Sequence, residues 1–372
     1  MLEYLGLLLA AVHFAVPLAY CAYLKSTYRS LLDKPLARRA VQDFPFITIV
    51  VPTYNEAFVI EEKLEDIYAQ DYPRSRLEVI VVDSASTDGT PEIAEKWAHR
   101  RSDLRVVVLR ESERRGKARA LNEALKHSRG EVVVVTDADS KWVSRDTLKR
   151  LAEYFANDEI GAVSCVKRPS SLGFLGVEEG YRRFYNFVRL AESKLWSTPV
   201  FHGELAAFRK RLLEELGGFP TDLGADDSHT AAMIALMGYR AVVAENLECT
   251  ELVPRRGYHA WRIRRAQHLI QSFARILRKG SLRRAPGLFR RVLLVEAFLH
   301  LVNPWLLLAA VLLLVASAVV GSLLGALLLV LGAVLLAYKP FRTWIVAQLY
   351  LLVAAVRNAY SRELVWAKQE KQ

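Results

Sequence analysis

Three polar clusters each follow an apolar run. They are Val51-Pro52-Thr53-Tyr54-Asn55-Glu56, then Asp83-Ser84-Ala85-Ser86-Thr87-Asp88-Gly89-Thr90, then Thr136-Asp137-Ala138-Asp139-Ser140. Ligands of open parallel sheets bind outside the carboxyl ends of strands. If the apolar runs are neighbouring strands, their acids meet at one edge, repel one another and call for a cation. Asp137 and Asp139 offer the hard oxygen ligands that Mg2+ or Mn2+ takes together with substrate phosphates. A metal so placed would neutralise a diphosphate leaving group. Acids after a strand are also ordinary caps and turns, so the D-x-D alone decides little. Gly116-Lys117-Ala118-Arg119-Ala120-Leu121-Asn122 opens a helical pattern, with Arg114 and Arg115 just before it. A helix N-terminus with Lys117 suits a phosphate; a solvated helix start is the alternative. No G-x-x-x-x-G-K-[ST] occurs, which excludes a P-loop hydrolase.

The elements that must position these residues alternate. Phe46–Val51, Leu77–Val82, Leu104–Leu109 and Glu131–Val135 are β-rich, and Ala57–Gln70, Pro91–Arg100 and Lys117–His127 have helical spacing. Such β-α-β repetition predicts an α/β fold with a mostly parallel sheet, helices on both faces and continuous apolar strands. From Gly161 to Glu248 the alternation breaks. A short strand at Ala162–Val166, a polar-aromatic helix at Glu178–Trp196 and a helix after Asp227 are expected there, forming the acceptor-side half of the same domain.

The rest of the chain reads as membrane-directed. Tyr4–Leu24 is 21 residues without a formal charge, and Lys25, Arg29, Lys34, Arg38 and Arg39 follow it. That asymmetry predicts a retained transmembrane helix with a cytoplasmic C-terminal end rather than a cleaved leader. Val292–Tyr338 is 47 residues with Glu296 as its only formal charge, the length of two spans with a turn near 317–322. Glu296 and His300 are expected to snorkel to the interface. The net charge is +11, and Arg255–Arg291 carries twelve Lys or Arg with no acid. A basic stretch before a span suits anionic lipid or phosphate, and without a nucleic-acid motif no nucleic acid is expected as a partner. Phe341–Trp366 reads as an interfacial helix on the cytoplasmic side, for which a second protomer, giving a homodimer, is a candidate partner. The three cysteines, Cys21, Cys165 and Cys249, predict reduced thiols rather than a disulfide framework or zinc site.

Taken in order, P-T-Y-N-E, V-D-S-A-S-T-D-G-T, G-K-A-R-A-L-N and T-D-A-D resemble the inverting family-2 glycosyltransferases, which include cellulose and hyaluronan synthases and dolichyl-phosphate mannose synthases. The resemblance covers about Phe46–Gln271. It implies a Rossmann-like sheet of the glycosyltransferase A-type, joined here to transmembrane helices. It also implies that Pro52, Tyr54 and Glu56 line a nucleotide pocket, that Asp83 sits at the base or ribose, that Asp137 contacts the nucleotide and that Asp139 holds Mg2+ or Mn2+. Phe201-His202-Gly203-Glu204-Leu205-Ala206-Ala207-Phe208-Arg209 resembles the family's acceptor-side wall, and Leu216-Gly217-Gly218-Phe219 its G-G-F ending. Asp226-Asp227 with Gly238-Tyr239-Arg240 resembles its E-D…G-Y-R, which makes Asp227 the general base; a helix N-cap is the structural alternative.

Several positions depart from the family. Ser84 stands where a second Asp is frequent. Lys141 stands where some lipid-phosphate mannose synthases have a metal-binding Gln. The Q-x-x-R-W motif is Trp261-Arg262-Ile263-Arg264-Arg265, with only Arg264 matching. Loss of the Trp, which stacks on a growing glycan, points to a single transfer. Arg262, Arg264 and Arg265 are then expected at an acceptor phosphate or the donor diphosphate, and Lys167 and Arg168 either at a phosphate or at the surface. The expected layout is a transmembrane helix at 1–25, a cytoplasmic catalytic domain at 26–254, basic interfacial helices at 255–291, two transmembrane helices at 292–338 and an interfacial helix at 339–372. The expected function is transfer of one sugar, mannose by analogy, from a GDP- or UDP-sugar to a polyprenyl-phosphate or glycolipid at the cytoplasmic face of the cell membrane. A processive polysaccharide synthase and an inactive lipid-binding scaffold are the alternatives.

Overall fold

Val and Ile dominate the runs that become the sheet. In chain order the strands are β1 (Ile47–Thr53), β2 (Leu77–Ser84), β3 (Arg105–Glu111), β4 (Val132–Val135), β5 (Ser140–Trp142), β6 (Ile160–Pro169), β7 (Ala206–Arg209) and β8 (Arg240–Glu251). The structure is a computed structural model that describes residues 1–31, 36, 41, 43–169, 176–254, 256–278, 280–283 and 285–361. Lys34, Arg38, Arg39 and the tail beyond Ser361, which entered the reading of membrane orientation, lie outside the described residues.

The spatial order is β3-β2-β1-β4-β7-β6-β8-β5. The first four strands are mutually parallel, β7 runs antiparallel to β4 and β6, and β6 and β8 are parallel again. The expected α/β class with a mostly parallel sheet is what forms. β7 escapes sequence reading because Ala206-Ala207-Phe208-Arg209 has no β-branched residue.

The helices are α1 (Leu2–Ser30), α2 (Ile60–Tyr68), α3 (Thr90–His99), α4 (Lys117–His127), α5 (Thr147–Phe155), α6 (Val177–Leu195), α7 (Lys210–Glu215), α8 (Asp226–Leu236), α9 (Tyr258–Arg278), α10 (Gly287–Leu301), α11 (Asn303–Val319), α12 (Leu323–Leu335) and α13 (Lys339–Arg357). Side chains alternate across a strand, so the sheet builds two cores. Ile49, Val51, Val79 and Val81 pack with Leu64 and Trp97 on one face. Val50, Ile80, Val82, Val133 and Val135 pack with Leu121 and Phe208 on the other. That second core also takes in Phe289, Val292, Leu293 and Ala297. The boundary expected at 291/292 therefore falls inside α10, a helix that belongs to the core.

A further expectation changes. Glu296 does not snorkel. It is fully buried, with Oε1 2.9 Å from Arg189 of α6. Arg189 also donates to Glu192 at 2.9 Å, and the Tyr20 hydroxyl of α1 donates to Glu192 at 2.7 Å. One polar chain thus ties α1, α6 and α10 together. The segment read as a C-terminal interfacial helix forms α13 and packs on α9 and α6. His13 of α1 joins this assembly: its Nδ1 lies 2.9 Å from the Asn303 carbonyl, and Trp344 Nε1 donates to its Nε2 at 2.9 Å.

By length and composition α1 alone suffices to cross a membrane among the described residues. The pairs α10–α11 and α12–α13 reach that length only together, bent by 40° and 105°. The turn expected near 317–322 lies at 320–322, but α12 with its 13 residues rises only about 20 Å, less than a hydrocarbon core of about 30 Å.

Gly130 leads into β4, the strand that carries the D-x-D. A Cβ there would lie 2.4 Å from the Thr48 backbone nitrogen. Gly130 N also donates to Thr48 Oγ1 at 2.8 Å, and Thr48 donates to buried Glu78 at 2.6 Å. Backbone cannot yield as a side chain does. Gly130→Ala is expected to lower stability by about 1–3 kcal/mol, read as a lower midpoint in denaturant unfolding.

Candidate active site

Strand order reverses between β1 and β4, so the crevice over their carboxyl ends is where a ligand belongs. A cavity of about 340 Å³ opens there. Pro52, Tyr54 and Glu56 line it from the loop after β1, Lys117 from α4, Asp137 and Asp139 from the loop after β4, Asp227 from α8, and Arg262 and Arg264 from α9. Asp139 and Asp227 therefore share one cavity.

Asp83 is the exception. It is buried and does not line the cavity, accepting hydrogen bonds from Thr53 Oγ1 at 3.2 Å, Ser86 N at 2.9 Å and Ser86 Oγ at 2.5 Å. Ser86 Oγ in turn accepts from Asn55 N at 2.8 Å, and Asn55 Oδ1 accepts from Thr87 N at 2.8 Å. Asp88 binds Ala57 N at 3.0 Å and Thr90 N at 3.1 Å. The acids after β2 thus lock two loops together. The lock holds Asn55 and Ala85 at φ 54° and 58°, which non-glycine residues seldom adopt.

The D-x-D loop is fixed from two sides. Thr136 Oγ1 donates to the Glu204 carbonyl at 2.8 Å, and Asp137 N donates to the Gly203 carbonyl at 3.1 Å. Lys63, buried beneath, donates to the Ser140 carbonyl at 3.0 Å. Lys141 leaves the site: it pairs with exposed Glu62 and does not line the cavity.

The electrostatic centre is Lys117. Its Nζ is 2.7 Å from Asp137 Oδ1 and 3.8 Å from Asp226 Oδ2. Burial works against the ammonium, yet Asp137, Asp226 and Asp227 outweigh it and hold its pKa above the ordinary value. Asp227 moves the other way. Burial, then the neighbouring Asp226 charge, push it up to about 7 against the pull of Lys117. Asp226 is raised by burial and by Asp137. It was not singled out from sequence, although it stands beside Asp227 at the start of α8.

A metal fits with help from a ligand. Among the described residues no group of three or more His, Cys, Asp or Glu is placed to hold one. Asp139 and Asp137 provide the one or two carboxylates that Mg2+ or Mn2+ uses when phosphates complete its shell. Lys117 already takes one oxygen of Asp137.

The opposite wall comes from α6, α10 and α13, through Tyr181, Tyr185, Arg189, His300 and Tyr350, and from α9. Arg262, expected at a phosphate, is buried with Nη1 3.3 Å from Glu178, and its guanidinium stacks 3.8 Å over Tyr181. Its charge is met within the wall. Arg264 and Arg265 also line the cavity, with Arg265 5.0 Å over the Trp261 ring. Lys167 is fully buried and pairs with Glu204 at 2.5 Å, while Arg168 pairs with Glu248 at 2.6 Å. Neither Lys167 nor Arg168 lines the cavity. Burial, then Lys167, Arg182 and Arg265, push the His202 imidazole well below its ordinary value, so it is neutral.

The pattern of Glycosyl transferase family 2 matches residues 48–217. A solved structure, the mannosyltransferase PcManGT from Pyrobaculum calidifontis in complex with GDP-Man and Mn2+, is 53% identical, covers 97% of this chain and 99% of that one, and superposes with a TM-score of 0.87. The chain belongs to glycosyl transferase family 2. The fold of this family-2 glycosyltransferase is accordingly the expected A-type. Curated relatives include the probable glycosyltransferase YdaM of Bacillus subtilis (strain 168), 27% identical over 55% of this chain and 50% of that protein. Another is the poly-β-1,6-N-acetyl-D-glucosamine synthase of Staphylococcus aureus (strain COL), 28% identical over 69% and 62%. The chain spans between half and just under two thirds of the length of these two.

Gly203 tests the Lys117–Asp137 geometry. A Cβ there would lie 3.0 Å from both Asp137 Oδ2 and Lys117 Nζ. Gly203→Ala is expected to displace the pair, lowering glycosyl transfer by about tenfold to a hundredfold in steady-state assays, with an unfolding midpoint near that of the unmodified protein.

Proposed function

We propose that this glycosyltransferase moves one mannosyl residue from GDP-mannose to a lipid-linked acceptor at the cytoplasmic membrane face, inverting the anomeric centre, with Asp227 as general base. The observation that carries the reading is the single cavity in which Asp139 and Asp227 face a common space. The donor assignment draws on the likeness, over nearly the whole chain, to a mannosyltransferase in complex with GDP-Man and Mn2+.

In this reading the nucleoside lies over Pro52, Tyr54 and Glu56, and the diphosphate lies between Lys117, the N-terminus of α4 and the D-x-D. When bound, Mg2+ or Mn2+ on Asp139 and Asp137 neutralises charge that develops on the leaving diphosphate. The acceptor hydroxyl approaches from the α8 side. Its oxygen bonds to the anomeric carbon as the bond from that carbon to the diphosphate breaks, and its proton passes to Asp227. A carboxyl raised to about 7 is well matched to that proton near neutral pH.

The lipid acceptor is supported by the distal wall. Tyr185 of α6, His300 of α10 and Tyr350 of α13 line the cavity, and these helices pack against α1 and α11, whose outer faces expose Leu5, Leu8, Leu18, Leu312 and Val319. We read α1 as a transmembrane anchor and the α10–α13 group as the membrane-facing side of the acceptor site. Single transfer is supported by Arg265, which stands where a glycan-stacking Trp occurs in the processive motif.

Asp227→Asn is expected to lower kcat by about a hundredfold to ten-thousandfold while GDP binding persists, measured by single-turnover transfer and by calorimetry. Activity requires ionised Asp227, so kcat/KM should fall as pH drops below about 7; a flat profile from pH 5 to 8 removes Asp227 from the role. Chelation of divalent ions should abolish transfer and weaken GDP binding, and Asp139→Asn should make GDP binding insensitive to Mn2+.

A further inference from the structure

The end of the cavity remote from α8 contains a hydrogen-bond acceptor whose direction is set from behind. β2 and β3 pair in parallel with Ser84 opposite Glu111. The Ser84 hydroxyl donates to Glu111 Oε2 at 2.7 Å, and Arg115 donates to Glu111 Oε1 at 3.2 Å. A serine hydroxyl has one proton and two lone pairs. With that proton committed to Glu111, Ser84, which lines the cavity, turns only lone pairs toward a ligand. Nearby the Arg114 guanidinium lies 3.7 Å over the Tyr54 ring, and both residues line the same cavity. Flat aromatic and guanidinium surfaces are what a nucleobase stacks on.

The location follows from the topology. Lys117, Asp137 and Asp139 mark the diphosphate, and Asp226 and Asp227 begin α8, which packs on β6 and β8. β2 lies on the other side of β1 and β4 in the sheet. A nucleotide with its sugar toward Asp227 therefore runs its base toward Ser84 at the end of β2.

We propose that Ser84, oriented by Glu111, selects the donor's base through an imino N–H. Guanine at N1 and uracil at N3 present such a donor, whereas adenine and cytosine present a bare ring nitrogen at the same edge. A lone pair facing a lone pair repels and leaves both without a partner. Glu111 is a positioning residue: it acts by holding the Ser84 proton away from the base. The inference rests on the nucleotide-donor reading above and deepens it by naming the group that reads the base.

The test measures dissociation constants of GDP, UDP, ADP and CDP, with Mn2+, on the full chain in detergent. N1-methyl-GDP and N3-methyl-UDP are added as probes that lack the imino proton. The unmodified protein is expected to bind GDP, UDP or both, which separates the purine from the pyrimidine source. Methylation of the preferred base should weaken it by about tenfold or more. Ser84→Ala should lower the preference for that base over ADP by about tenfold, and Ser84→Thr, which keeps the hydroxyl, should retain it. Glu111→Gln should also erode that preference, because the Gln amide can donate to Ser84 Oγ and let the hydroxyl proton turn toward adenine. Unchanged base ratios in both Ser84→Ala and Glu111→Gln, or a methylated base that binds as well as its parent, overturn the proposal while leaving the donor reading intact. If no nucleoside diphosphate binds the unmodified protein, the donor reading itself falls and this inference with it.

Discussion

The site depends on one buried cation. Lys117 sits among Asp137, Asp226 and Asp227, which arrive from the end of β4 and the start of α8. Burying charges is costly unless each has a partner. Three carboxylates around a single ammonium leave negative charge in excess; burial first, and then that excess, raise the Asp226 and Asp227 carboxyls above their ordinary range. Lys117 stabilises the cluster without saturating it. On the proposed reading this is a proton acceptor beside a second acidic pair suited to a divalent ion. Two carboxyl groups with different environments and different tasks are a recurring way to run proton chemistry near neutral pH.

This centre is held in place by backbone more than by side chains. The Asp137 amide binds the Gly203 carbonyl and Thr136 binds the Glu204 carbonyl. The segment after Phe201 therefore sets where the D-x-D points. Glu204 in turn pairs with buried Lys167 of β6. Burial pushes the Glu204 carboxyl up, but Lys167 and Arg265 overcome this and bring it below its ordinary range. The segment after Phe201 and the D-x-D loop are thus one hydrogen-bonded unit, and a change on one side is felt on the other.

Much of this was legible in the sequence because it is local. The apolar runs that became β1 to β4, the helix that starts at Lys117, and the acids after β4 follow from period and position. What sequence reading missed was set by partners distant in the chain. The resemblance puts Asp83 at the base or ribose, but nothing local says that Thr53, 30 residues earlier, will donate to its carboxylate. Arg262 sits in a basic run, and Glu178, 84 residues earlier, pairs with it in the cavity wall. Glu296 looked like a snorkelling acid because its neighbours are apolar, while its partner, Arg189, lies 107 residues away. In each case charge pairing across the fold overrode the reading that composition favours.

The same pairing explains how apolar helices outside the sheet become part of the cavity wall. Arg189 and His300 both line the cavity, and Glu296, one helical turn from His300, meets Arg189 from α10. Glu192, on the same helix as Arg189, receives Tyr20 of α1. A helix held to its neighbours only by apolar contacts can slide or rotate at small cost, whereas a buried ion pair fixes one register, since any displacement leaves an unpaired charge. The chain from Tyr20 through Glu192 and Arg189 to Glu296 therefore fixes α1 and α10 against α6, the helix that supplies Tyr181 and Tyr185 to the cavity. Rigid placement of that wall is what a transfer reaction requires, because the acceptor must reach the donor within a narrow range of distance and angle.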